Sequence, residues 1–75
     1  MSVLDTLNEI RPEADFLSAH DFIEEGLLDS FDLITLVASL DAKYEVSIPG
    51  TEIVPENFKN VKAIESLLKR LEASI

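Results

Sequence analysis

Three stretches of the chain repeat apolar residues at helical spacing, and the segments between them do not. Val3, Leu4, Leu7 and Ile10 fall on one face of a helix that Ser2 can cap, with Asp5 in the first turn, where the helix dipole favours negative charge. Arg11-Pro12 ends that helix, because a proline ring disfavours helical angles at the residue before it. Leu33, Leu36, Val37, Leu40 and Tyr44 form the core stripe of a second helix, expected from about Phe31 to Tyr44. Val61, Ile64, Leu68, Leu71 and Ile75 mark a last helix capped by Asn60, with Lys69 and Arg70 near its C-terminal end. The same alternation is a heptad pattern, but it lasts only about two heptads, so core packing accounts for it better than a coiled-coil seam.

The long connection between the first two helices is the least regular part of the sequence. An irregular link of more than about 12 to 15 residues inside a small domain is usually functional or disordered. Phe16, Leu17, Phe22 and Ile23 make this one too apolar for a solvated tail, so they read as pegs that hold it on the helices, with a helical turn from Asp21 to Glu25. At its end, Gly26 can take a left-handed conformation, Leu27 and Leu28 can anchor the chain, and Asp29 or Ser30 can cap the second helix. Glu45 to Val54 reads as a loop with the turn signal Pro49-Gly50, in which Val46 and Ile48 alternate inward. Pro55 suits the first position of a short helix ending near Phe58, its anchor.

Composition narrows the function. Seventy-five residues make one domain, 1–75, too small for an elaborate active site. Fifteen acidic residues against six basic give a net charge of -9, which opposes binding to nucleic acid or to an anionic membrane and favours a basic protein partner. Without cysteine there is no disulfide and no thiolate metal site, so any thiol chemistry must come from a cofactor. No apolar run approaches the roughly 18 residues of a membrane span, and Met1-Ser2-Val3 lacks the basic start of a secretory signal. A cytoplasmic monomer is the expectation.

The chemistry converges on Ser30. Its hydroxyl stands where a helix begins, beside unpaired backbone N–H groups and the positive end of the dipole, so a phosphate esterified there is locally stabilised. On local sequence alone, an ordinary N-cap serine is the plainer account. A nucleophilic serine with His20 as base finds little support, since there is no Gly-x-Ser-x-Gly elbow and no compelling orienting carboxylate beyond Asp21, and His20 reads as a solvated loop residue. Glu24, Glu25, Asp29 and Asp32 could attract a divalent cation, but their spacing matches no calcium loop, and no metal is required. Their plainer use is to attract basic partners. On the second helix, Phe31, Ile34 and Ala38 lie off the core stripe beside Asp32, Thr35 and Asp41, a mixed apolar and acidic face suited to docking.

Asp29-Ser30-Phe31 resembles the signature of the acyl and peptidyl (aminoacyl) carrier-protein family, Asp-Ser-Leu at the start of a second helix. The resemblance continues through Asp32, Leu36-Val37 and Leu40, to Tyr44 and to Ile48-Pro49, and so covers nearly the whole chain. Phe31 and the short first helix are departures. The resemblance implies an all-α fold, a small antiparallel four-helix bundle of three main helices and one short one. It also implies a 4'-phosphopantetheine arm, drawn from coenzyme A, on Ser30. Its implied partners are a phosphopantetheinyl transferase, an acyl- or aminoacyl-loading ligase and downstream transferases, with Asp29, Phe31, Asp32, Ile34, Glu24 and Glu25 in partner recognition. Such a domain carries a thioester and catalyses nothing itself. Compared with the fatty-acid-synthesis carriers it resembles, the second helix is poorer in glutamate, which points to a dedicated aminoacyl or specialised acyl pathway. The competing reading is an unmodified acidic helical adaptor that binds through the same helix.

Overall fold

A computed structural model describes residues 2–71, and among them the only regular structure is helical. Helix α1 spans Val3–Ile10, α2 Ser30–Tyr44, α3 Pro55–Phe58 and α4 Val61–Arg70, with one 3-10 turn at Gly50–Glu52. Helix α1 packs against both α2 and α4, and α3 packs against α4. One apolar cluster runs through all of them, from Val3 and Leu7 through Leu36 and Leu40 to Phe58, Ile64 and Leu68. This is the small all-α bundle expected of the sequence.

Local chemistry sets the helix boundaries. Ser2 and Asp5 cap α1 reciprocally, each side chain accepting the other's backbone N–H, and Arg11 closes the helix by donating its N–H to Leu7 at 2.9 Å. Asn60 accepts the Ala63 N–H at 2.7 Å to begin α4, and Pro55 stands in the first turn of α3. The periodic reading is incomplete in two places. Leu67 and Thr6 are fully buried although neither belonged to an expected stripe; both lie on helices that pack against two others, which one helix's pattern does not reveal. Leu71 and Val61 are only partly buried, and Ile75 lies outside the described residues.

The connection from α1 to α2 is tied down by Phe22. Its ring is 1% exposed and meets Phe16 edge to face at 4.9 Å, a pairing worth about 0.5 to 1.5 kcal/mol beyond area burial. Its N–H donates to the Lys59 carbonyl at 2.6 Å, between α3 and α4, while its carbonyl accepts from Leu27 and Leu28. Phe22 thereby fastens the end of the connection to the far side of the bundle. Ile23 is partly buried, as a peg should be, but Leu17 is 82% exposed and is not one. Leucine and phenylalanine look alike in a hydrophobicity count; only the neighbouring Phe16 finds the core.

Around Phe22 the chain makes a single helical turn, closed by the Glu25 N–H on the Asp21 carbonyl at 3.0 Å. Asp21 Oδ1 accepts the N–H groups of Ile23 and Glu24, and Glu25 Oε2 accepts those of His20 and Asp21 at 2.7 and 2.9 Å. Gly26 then turns the chain at φ +78°, the left-handed conformation glycine adopts without a Cβ penalty. The hydrogen bonds from the Asp21 and His20 amides hold the Glu25 carboxyl below its ordinary pKa of 4.5.

At the far end of α2, Glu45 closes the helix at φ 54°, ψ 46°. Its N–H and that of Val46 both donate to the Asp41 carbonyl, and Asp41 Oδ1 accepts the Ile48 N–H at 3.0 Å. Asp41 therefore ties the following loop to the helix and helps set Ile48, which is buried, in place.

Two predictions follow from these turns. Glu45 is a side chain in the left-handed region and an anion at the negative end of a helix, costs of about 1 to 2 and 0.3 to 1 kcal/mol, set against the extra unfolded-state entropy of glycine, about 0.4 to 1 kcal/mol. Glu45→Gly should therefore raise stability by about 1 kcal/mol, seen as a higher urea midpoint with an unchanged slope; an equal or lower midpoint contradicts it. For Glu25, a folded pKa below the unfolded one means stability present above the unfolded value and lost as pH falls through the folded one. Glu25→Gln should thus be less stable than the parent at pH 7, with the gap closing below pH 4.5. A gap that persists unchanged in acid would show that the charge plays no part.

Candidate functional site

The start of α2 is where the anchored connection delivers the chain. Leu28 is buried, and Asp29 follows in an extended conformation, at φ -109° and ψ -175°, as the N-cap. Asp29 Oδ1 accepts the Asp32 N–H at 2.8 Å, and Asp32 Oδ2 accepts the Asp29 N–H at 3.3 Å, a reciprocal cap built from two aspartates. Of the two candidates for the cap, the structure selects Asp29. Ser30 becomes the first helical residue, one position earlier than the helix was expected to begin.

That shift decides the state of the hydroxyl. A capping serine spends its oxygen on a backbone N–H. Ser30 is exposed, and among the described residues no hydrogen bond engages its side chain. Among the described residues the N–H groups of Ser30 and Phe31 find no carbonyl either, so two backbone donors and the positive end of a four-turn helix stand at the head of α2 with the hydroxyl.

Phe31 and Ile34 are 74% and 66% exposed, one turn apart on α2 next to Ser30, as the off-stripe reading requires. Asp32 departs from that reading. It was expected among the exposed charges of this face, yet it is 8% exposed, with its carboxylate turned inward to the cap and to Arg11 Nη1 at 3.5 Å. A carboxylate three residues into a helix has two uses, facing solvent or reaching back to the cap; Asp5 in α1 and Asp32 in α2 both reach back, and Asp32 also meets a cation. Glu24 and Glu25 are exposed in the turn ahead of Gly26, but Glu25 is occupied in closing that turn. Asp29 remains exposed as a residue while it caps. His20 is exposed and contributes only its backbone N–H, to Glu25, so nothing places an imidazole as a base on Ser30.

Arg11 is the residue that sequence reasoning missed. Its side chain crosses from the end of α1 to the first turn of α2, a contact between residues far apart in the chain that no local period signals. A separate apolar groove of about 320 Å³ lies between the connection and the start of α4, lined by Phe16, Leu17, Phe22 and Val61 among others, and Ser30 is not part of it.

Comparison with known proteins agrees with this geometry. A family model described as a phosphopantetheine attachment site matches residues 2–68. The chain is 33% identical over 55 residues to Aminoacyl carrier protein 1 of Bradyrhizobium diazoefficiens, covering 73% of this chain and 60% of that protein. It is 37% identical over 41 residues to Aminoacyl carrier protein 2 of the same organism, covering 55% and 46%. To the Acyl carrier protein of Helicobacter hepaticus it is 34% identical over 62 residues, covering 83% and 71%. The chain thus spans less than two thirds of the length of the two aminoacyl carriers. A match that runs from the cap of α1 well into α4, over a helical bundle with a free serine hydroxyl at the head of α2, means that the chain belongs to the carrier-protein family whose members bear covalent 4'-phosphopantetheine.

Proposed function

We propose that the chain is a single, non-catalytic carrier domain whose Ser30 bears the 4'-phosphopantetheine arm and presents acyl or aminoacyl groups to partner enzymes. The observation that carries this reading is the exposed, uncommitted Ser30 hydroxyl behind the Asp29 cap. The donor set suits the group: the N–H groups of Ser30 and Phe31, which have no carbonyl partner among the described residues, would hold the anion of a phosphodiester on that oxygen, and the helix dipole would favour its charge. When bound, the arm supplies a thiol that holds cargo as a thioester, and this chain, lacking cysteine, offers that thiol no internal competitor.

Attachment is a group transfer performed by a phosphopantetheinyl transferase. Ser30 Oγ forms a bond to the β-phosphorus of coenzyme A, the bond from that phosphorus to the oxygen bridging to adenosine 3',5'-bisphosphate breaks, and the hydroxyl proton passes to a base on the transferase. The chain's own contribution is to hold the oxygen outward and to leave backbone donors near the new anion. Afterwards the arm lets one tethered group reach several enzymes at high effective concentration. The expected setting is a cytoplasmic monomer served by a loading ligase and downstream transferases.

The face beside Ser30 suggests how partners dock. With Asp32 turned inward, Phe31 and Ile34 dominate the first turns of α2, so docking leans on apolar burial, while charge steering falls to Glu24 and Asp29. Such a surface suits a dedicated aminoacyl or specialised acyl pathway, and two of the relatives above are named aminoacyl carriers.

Two measurements test the proposal. A broad-specificity transferase with coenzyme A and magnesium should add one phosphopantetheine to the protein and none to Ser30→Ala, by intact mass and peptide mapping. Modification that persists in the variant, or maps to Ser18, Ser39 or Ser47, sinks the assignment; a protein that stays at apo mass favours the adaptor reading. Ile34→Ala should weaken a dedicated loading enzyme by up to about tenfold, since fully burying such a side chain is worth about 1.5 to 3 kcal/mol, while leaving the fold intact. Efficient fatty-acid elongation on the holo protein, with Ile34→Ala equal to the parent, contradicts both the docking face and the pathway.

A further inference from the structure

We propose that Arg11 is a positioning residue for Ser30, acting through Asp32 and the cap of α2. The inference rests on Ser30 as the attachment residue, but its physical basis is independent of that reading. Arg11 is held from both sides: its N–H donates to the Leu7 carbonyl at 2.9 Å and its carbonyl accepts the Ala14 N–H at 3.1 Å, with Pro12 fixing the turn between. From that fixed point Nη1 reaches Asp32 Oδ2 at 3.5 Å, the same oxygen that accepts the Asp29 N–H.

A cation at the positive end of a helix is misplaced unless a carboxylate answers it. Arg11 is the one Lys or Arg among the described residues paired with the first turn of α2. Its Nε is buried with no hydrogen-bond partner, the Glu13 carboxylate standing 3.5 Å off. The guanidinium thus stands between two carboxylates at the same distance, the exposed one of Glu13 and the enclosed one of Asp32, and the contact with Asp32 is the less screened by water.

The dependence then runs in one direction. Asp32 is 8% exposed, and a carboxylate so enclosed is stable with a cation beside it. Without Arg11 it turns toward water and releases the Asp29 N–H, and one half of the reciprocal cap is gone. Asp29 then frays, and the first helical residue, Ser30, loses its fixed direction.

The test uses the full chain with Arg11→Met, Arg11→Lys, Asp32→Asn and the double variant Arg11→Met/Asp32→Asn. Amide hydrogen exchange at Asp29 and Asp32 is compared with that at Leu40 and Leu67, and kcat and KM are measured for phosphopantetheine transfer from coenzyme A. In Arg11→Met, exchange at Asp29 and Asp32 should rise about threefold to tenfold, the range a helix cap is worth, with Leu40 and Leu67 unchanged. KM should rise about twofold or more with kcat held, because fewer molecules present the serine correctly. Arg11→Lys, which keeps the charge, should restore most of both effects, and the double variant should be no worse than Arg11→Met alone. Unchanged exchange at the cap, an equal rise at Leu40 and Leu67, or a loosened cap with unchanged KM each overturns the inference. If the wild-type protein is modified elsewhere or not at all, the Ser30 reading fails, and the exchange results still decide whether Arg11 holds the cap.

Discussion

The reciprocal hydrogen bonds between Asp29 and Asp32 are the constraint on which the site depends. They assign the capping duty to the residue before the serine, and so leave Ser30 with a hydroxyl that nothing among the described residues engages. Had Ser30 capped the helix itself, its oxygen would face the backbone and the chemistry would need a competing bond broken first. The cap in turn depends on where the chain enters it. Phe22, bonded to Lys59 on one side and to Leu27 and Leu28 on the other, fixes the entry, and buried Leu28 aims it. A small bundle without disulfides thus secures one loop end through a single aromatic anchor and two carboxylates.

The same economy shapes the outer face of α2. A helix of this sequence offers aspartates on both sides of its serine, yet one of them is drawn inward, and what remains outside next to Ser30 is mostly apolar. Exposed Phe31 and Ile34 cost the isolated domain some solvation, an arrangement that makes sense where a partner covers them. On the proposed reading, specificity for partners resides in shape and burial at this face, with the strong net negative charge of the chain acting at longer range.

Much of this was legible in the sequence, and the gaps have physical reasons. Helical periods located α1, α2 and α4, because one apolar stripe per helix is enough to show the side that faces inward. Caps at Ser2 and Asn60, proline at the head of α3 and the left-handed Gly26 could be read directly, since each residue's chemistry is local. Contacts between distant segments could not. Leu67 and Thr6 are fully buried off the expected stripes, Leu17 stays outside beside a buried Phe16, and Asp32 turns inward, where Arg11 reaches it from the end of α1. Glu45 takes a glycine-like conformation without the glycine that would announce it. At the site itself, the serine and the apolar pair were visible, while the separation of cap from hydroxyl emerged only from the geometry of Asp29.

If Ser30 carries the arm, the cap and the attachment oxygen are separate groups. Amide spectra of isotopically labelled protein, recorded before and after transfer of phosphopantetheine, test it most directly. The largest shifts should fall at Ser30 and Phe31, with the Asp29 and Asp32 amides keeping their protection from exchange. Shifts centred on another serine, or loss of protection at Asp32 as the new phosphate takes over its N–H, would contradict it.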